Sequence, residues 1–213
     1  MSNANTPVTL YFDATCPFAW VTSRWIKEVE AVRDVDVTFA PMSLAVLNED
    51  KDIPADYASK MTAAWGPALV AAAVYTREPE KVDALYTALG TRIHDQGQGG
   101  RVGDGAYDDL IAEALDEAGL SADYAAAAHS RGDDAEAWEP TLRSYHATAL
   151  AKVGDDVGTP VVELEGRAFF GPVLTRVPRG EDAGKIFDAA VTLGGYDHFY
   201  ELKKTRSEDP SAV

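Results

Sequence analysis

The sequence predicts an α/β chain: one four-stranded sheet carrying helices on both faces, interrupted by a long all-helical stretch. Three observations predict it. The chain opens with alternating apolar runs on either side of a helical period, closes with a two-run hairpin followed by another helical period, and is dense in alanine between them.

The first run places Val8, Leu10 and Phe12 against Thr9, Tyr11 and Asp13, which is the period of two expected of a strand. Helical spacing follows at Phe18, Val21, Trp25, Val29 and Val32. Pro17 suits the first helical turn, where its missing N–H has no helical partner to lose, and Thr15 is the expected N-cap. A second strand covers Val35, Val37 and Phe39 and ends near Pro41. Helices are expected near 54–76, 78–96, 105–118, 121–130 and 134–153. Glycines around 97–100, 103–105, 119 and 132 mark the breaks, and Gly66-Pro67 is expected to act as a hinge. Strand character returns over Thr159–Leu164. Glu165-Gly166 is a turn signal, and Arg167–Phe170 is the partner strand. A last amphipathic helix spans about 180–193, a short piece follows over 197–204, and the polar tail from Thr205 to Val213 is expected to fray.

The opening strand–helix–strand requires a right-handed crossover and a parallel pair, and the hairpin must extend the same sheet. That arrangement is the architecture of thioredoxin-fold proteins with a helical lid. Residues 7–42 and 154–205 form the discontinuous sheet domain, and 43–153 the inserted helical subdomain.

Composition narrows the function. The 213 residues carry 19 basic and 35 acidic side chains, a net charge of −16, which repels phosphate backbones and anionic lipid. Nucleic acid and membrane are therefore not expected partners. No apolar run approaches the roughly 20 residues of a spanning helix. The first seven residues lack a basic segment followed by an apolar one, so no secretory signal is expected. A single cysteine forbids an intrachain disulfide and fits a reducing, cytoplasmic setting. The four histidines are not paired at metal-ligand spacing, so no metal is expected. The glycine-rich run at 97–100 follows no strand, so no nucleotide is expected either.

Cys16 follows a strand and opens a helix. Peptide N–H groups at a helix N-terminus favour the thiolate and lower its pKa, so a nucleophilic sulfur is expected there rather than an inert buried one. The Thr159-Pro160 pair precedes a strand. By spacing alone a trans proline is the expectation. In a thioredoxin-like arrangement this loop packs against the cysteine, and a cis bond would leave Thr159 backbone free for a substrate or thiol. Trp20, one turn from Cys16, and Trp65, beside the expected hinge, are cleft candidates, whereas Trp25 shares the buried stripe. His94 is a candidate proton donor.

Several runs together resemble a known family: Phe12–Trp20, Thr22–Trp25, Met42–Glu49, Ala64–Pro67, Thr91–Gly97, Val157–Pro160, Phe169–Leu174 and Phe199–Lys204. They look like the actinobacterial DsbA-like proteins, and within these the mycothiol-dependent nitroreductases and reductases of mycobacteria. The resemblance covers nearly the whole chain. It implies a thioredoxin fold with an inserted helical subdomain and mycothiol, a low-molecular-weight thiol, as co-substrate. Cys16 matches the nucleophile and Pro160 the cis-proline. Pro17 and Phe18 lie in the cysteine motif, and Asn48, Tyr57 and His94 fall in motifs that line the cleft between sheet and lid.

The chain departs from the dithiol members at one place: Ala19 stands where they carry the resolving cysteine. A mixed disulfide on Cys16 then cannot be resolved internally. A one-thiol branch, a trapping substitution and a protein that has left thiol exchange all fit. The coherence of the surrounding motif favours the first. The expected function is a one-thiol oxidoreductase that forms a mixed disulfide with mycothiol and reduces a disulfide or small electrophile. The alternative is a transferase or isomerase of the kappa-class glutathione transferase kind, which binds the thiol without joining it. The chain is expected to work as a monomer or homodimer.

Overall fold

A computed structural model describes residues 5–132 and 137–213. Strand β1 (Thr6–Phe12) leads into helix α1 (Pro17–Glu30) and strand β2 (Val35–Pro41). Strands β3 (Val161–Leu164) and β4 (Arg167–Phe170) form the hairpin, and helix α7 (Glu181–Gly194) closes the fold. The sheet order is β2-β1-β3-β4. β1 and β2 run parallel, pairing Leu10 with Phe39, while β3 runs antiparallel to β1, pairing Leu10 with Val162. The hairpin turns on Glu165 and Gly166 at φ 51° and 81°, the doubly left-handed geometry of a two-residue loop.

The alternation expected of β1 fades toward its end. Tyr11 and Phe12 are both buried, because helices cover both faces there. Phe12 stacks on Tyr86 at 3.8 Å, and Tyr11 packs with Met42, Ala149 and Val161. α1 buries Val21, Trp25, Ile26 and Val29, and the Trp25 indole N–H donates to Ala183 O at 3.0 Å.

Between β2 and β3 the chain is helical: α2 (Leu44–Asn48), α3 (Ala55–Arg77), α4 (Val82–Gly90), α5 (Asp108–Glu117) and α6 (Glu139–Val153). Residues 134–136 of the last expected helix lie outside the described residues. Several expectations need correction. The stretch 78–96 is three pieces, a 3₁₀ turn over Pro79–Lys81, then α4, then a π turn over Thr91–Asp95. Ala122–His129 is 3₁₀ rather than α. Helix α2, capped by Ser43 Oγ accepting from Val46 N–H, is too short to show as a period.

Gly66-Pro67 is no hinge, because α3 runs through it. A Cβ on Gly66 would sit 3.5 Å from Ile111 and 3.6 Å from Ala128, so this glycine permits close helix packing. One apolar cluster runs from Val8 and Trp25 through Val70 and Leu89 to Leu110, so the helical stretch is packed onto the sheet rather than tethered beside it. The tail beyond residue 205 is not frayed: Ser211 N–H donates to Thr175 O at 2.9 Å and Ala212 is buried. The piece over 197–204 forms no helix or strand.

Candidate active site

Cys16 is itself the N-cap of α1, at φ −83° and ψ 115°, with Pro17 in the first turn. Thr15 is not the cap. Its N–H and hydroxyl both donate to Asp13 Oδ1, at 2.8 and 2.7 Å, while Asp13 Oδ2 accepts from Leu44 N–H at 2.7 Å. The buried Asp13 carboxyl thus fastens the loop before the cysteine to the start of α2. Burial raises its pKa against the pull of those hydrogen bonds.

Cys16 is 5% exposed, and its thiol donates to Thr159 O at 3.4 Å. The Thr159–Pro160 peptide is cis, against the spacing-based expectation, and so is Gly171–Pro172, within the Phe169–Leu174 run but without a cis bond expected there. The expected lowering of the thiol pKa does not hold. Burial pushes the Cys16 thiol up. The Thr159 side chain and the backbone N–H groups of Ala19 and Phe18 pull it down, and the Asp13 charge adds to the rise. Helix N–H groups are present, but desolvation outweighs them. The Thr159 hydroxyl is buried with no hydrogen-bond partner, so it is free to donate to the sulfur once that ionises.

The sulfur is not sealed. Cys16 lines a cleft of about 490 Å³, within the usual range for small-molecule sites. Thr15, Pro17 and Trp20 form its floor with Cys16. Leu44, Tyr57, Lys60 and Met61 come from α2 and α3, and Ile93, His94 and Asp95 from the π turn. Such turns recur at functional sites because the extra residue re-aims side chains. This one is anchored from behind by Arg92, paired with Glu113 and Glu117 at 3.0 and 2.6 Å.

Trp20 locks the floor to that wall. Its indole N–H donates to Asp95 Oδ1 at 2.8 Å, its ring stacks on His94, and Arg24 lies 4.2 Å over it. Gly90 makes room, since a Cβ there would fall 2.2 Å from the Trp20 ring. His94 Nε2 lies 2.9 Å from Ala14 O and must carry its hydrogen there, because a carbonyl only accepts. Burial holds the His94 pKa down, leaving the ring neutral.

The structure therefore brings Cys16, Pro17, Trp20, Tyr57 and His94 around one cleft, with Thr159 and Pro160 behind the sulfur. Asn48 and Trp65 are not among the residues lining it. Asn48 Nδ2 donates to Leu44 O at 2.8 Å within α2. Trp65 is buried in a separate cluster and stacked under Arg131 and Arg143, which pair with Glu49 and Glu139. Phe18 points to the tail, with Arg206 4.6 Å over its ring. Motif reading missed Asp13, Lys60, Asp95 and Arg101. It also missed the glycines at 97, 99 and 100 as cleft wall, and Pro210, Ser211 and Ala212. Only the 91–97 run pointed toward Asp95.

Among the described residues no group of three or more His, Cys, Asp or Glu could hold a metal ion, and no helix is long and apolar enough to cross a membrane.

Comparison with known proteins agrees with this fold. The model of the Rv2466c-like family, described as mycothiol-dependent nitroreductase Rv2466c, matches residues 15–204. An uncharacterized protein of Mycobacterium tuberculosis, Rv2286c, is 28% identical over 207 residues, covering 95% of this chain and 83% of that protein. Among solved structures, the probable DsbA oxidoreductase SCO1869 from Streptomyces coelicolor superposes with a TM-score of 0.56 at 18% identity, covering 98% of this chain and 99% of that one. Oxidized Mtb DsbA does so with a TM-score of 0.56 at 18% identity, covering 92% and 86%. These likenesses show the thioredoxin fold in its DsbA-like form.

Proposed function

The chain belongs to the Rv2466c-like family, and on that premise we propose that it is a one-thiol oxidoreductase using mycothiol as reductant. The observation that carries the reading is Cys16: the single cysteine, at a helix N-terminus, hydrogen-bonded to the residue before a cis-proline, and facing a small-molecule cleft.

The chemistry is thiol–disulfide exchange. The Cys16 thiol gives up its proton, and the thiolate attacks one sulfur of a disulfide that contains mycothiol. A Cys16–mycothiol disulfide forms and the other sulfur leaves as a thiolate. A second mycothiol thiolate attacks the mycothiol sulfur of that adduct, releasing oxidised mycothiol and Cys16 thiolate. Each cycle consumes one free mycothiol: the substrate sulfur leaves as a thiolate that takes up a proton, and the disulfide passes to oxidised mycothiol. Ala19 is buried where a resolving thiol would sit, so the second thiol must come from solution.

Protein groups favour each stage. The Thr159 hydroxyl and the N–H groups of Phe18 and Ala19 stabilise sulfur anion when it forms, against the cost of burial. Exchange rates depend on both the thiolate fraction and the leaving thiol's pKa, and a sulfur with a raised pKa is the stronger nucleophile per thiolate. The neutral His94 and the Tyr57 phenol face the same cleft and can hydrogen-bond the polar groups of a bound thiol. The cytoplasm, where such a thiol pool is kept reduced, is the matching compartment.

Steady-state reduction of a mycothiol mixed disulfide tests this. Wild-type protein should turn it over and Cys16→Ser should be inactive. Full activity in Cys16→Ser would overturn the reading.

A further inference from the structure

The cleft has one wall that the family pattern does not include. The family match ends at residue 204, yet Pro210, Ser211 and Ala212 line the cleft beside Cys16. The run from Glu201 to Asp209 is exposed, and Ala212 is then buried against the main core. The chain thus leaves the surface, crosses as an exposed connector and returns to the rim of the cleft.

What holds it there is local and polar. Ser211 N–H donates to Thr175 O at 2.9 Å. Arg176 donates to Asp209 O at 2.8 Å and pairs with Glu208 at 3.1 Å. Arg179 donates to Ala212 O at 3.0 Å. Arg176 and Glu208 are about half exposed, at 54% and 46%, and exposed pairs contribute little individually. A segment with one buried alanine and solvent-facing anchors belongs to the parts of a fold that open at low cost. Cys16 is 5% exposed and shares the cleft with this segment, so the position of the segment bears on what reaches the thiol.

We propose that Pro210–Ala212 is a size gate on the Cys16 cleft, held shut by Arg176 and Arg179, which admits small thiols and electrophiles and keeps polypeptide disulfides from the sulfur. The proposal rests on Cys16 being the reacting group and names its substrate class: small molecules. The wall offers a proline ring, a hydroxymethyl and a methyl group. These can line a small ligand.

The test is Cys16 alkylation in the full-length protein by two reagents, N-ethylmaleimide and a maleimide displayed on a small folded carrier protein. Two variants are compared with wild type: one ending at Thr205, and full-length Arg176→Ala with Arg179→Ala. Cys16→Ser serves as the unlabelled control and thermal melting as the check on folding. Opening the gate should accelerate the carrier-borne reagent about tenfold or more, since apparent reactivity scales with the fraction of molecules in the open state. N-ethylmaleimide should change far less. The double arginine variant decides the matter alone should the truncated chain fail to fold. Equal factors for both reagents, or no change with either, would overturn the gate. The assay contains no mycothiol, so a missing mycothiol adduct would sink the proposed function while leaving the gate standing.

Discussion

Cys16 is set between a helix end that favours the thiolate and a burial that opposes it, and burial wins. Alkylation of Cys16 should therefore follow a pH profile whose midpoint lies above that of an ordinary thiol. Iodoacetamide rates measured across neutral to alkaline pH will check this, and a midpoint below neutrality would contradict it. The same shift has a stability consequence. The folded state holds the proton over a range where the unfolded chain releases it, so stability is intact below the unfolded thiol pKa of about 8.5 and falls as pH rises through the folded value. Cys16→Ala should remove that part of the alkaline loss. Thr159→Val deletes a buried, unpartnered hydroxyl, so it should leave thermal stability equal or higher while slowing alkylation at fixed pH. The cysteine and the Thr159-Pro160 pair were legible in the sequence because both are rare residue patterns at element boundaries. The direction of the pKa shift was not, because desolvation depends on what covers the sulfur. Trp20 gives a further residue-scale prediction. Gly90→Ala would drive a methyl group into its ring, and overpacking of that kind costs about 1–3 kcal/mol, more than the roughly 1 kcal/mol of helix propensity that alanine restores. Chemical denaturation should show a net loss.

At the scale of elements, the cleft depends on short, irregular pieces. The π turn that presents His94 and Asp95 is held by Arg92 on two glutamates of α5, and the loop before Cys16 is held by Asp13 on α2. Helix α6 braces the end of β2 through His146, whose Nδ1 accepts from Ser43 N–H at 3.4 Å. Burial, with the Arg143 and Lys51 charges behind it, holds the His146 pKa down to about 4. The unfolded chain takes up that proton first, so stability contributed by neutral His146 is present above the unfolded value near 6.5 and is lost as pH falls toward 4. Urea titrations at pH 7 and pH 4.5 should differ by up to about 3 kcal/mol more in wild type than in His146→Gln, from about 1.4 kcal/mol per pKa unit. An equal pH dependence in the two proteins would contradict it. The long elements were readable from periodicity. Helix α2, the 3₁₀ run at 122–129 and the π turn were not, since none spans enough residues to display a repeat. Gly66-Pro67 misled for a related reason. A glycine and a proline side by side suggest a break, but here the glycine serves close packing against Ile111 and Ala128, and the helix continues.

At the scale of the molecule, the parallel first pair and the antiparallel hairpin follow from connection lengths, so these parts of the architecture were legible in the sequence, whereas the seat of the hairpin beside β1 in the order β2-β1-β3-β4 was not. The assembly of the cleft was visible only in part. Residues from α1, α3 and the π turn meet there as the motifs implied, but Asn48 and Trp65 pack elsewhere, and the tail arrives from the far end of the chain. No pattern in residues 205–213 announces that return, because its anchors are two arginines on a loop and a few backbone oxygens. The central claim is that a lone sulfur at the floor of this cleft joins a small thiol covalently. Intact-mass measurement of the protein incubated with oxidised mycothiol tests it most directly. The account predicts one added mycothiol per chain, mapped to Cys16, released by excess reduced mycothiol and absent in Cys16→Ser. An unmodified chain, with the sulfur still free after that incubation, would contradict it.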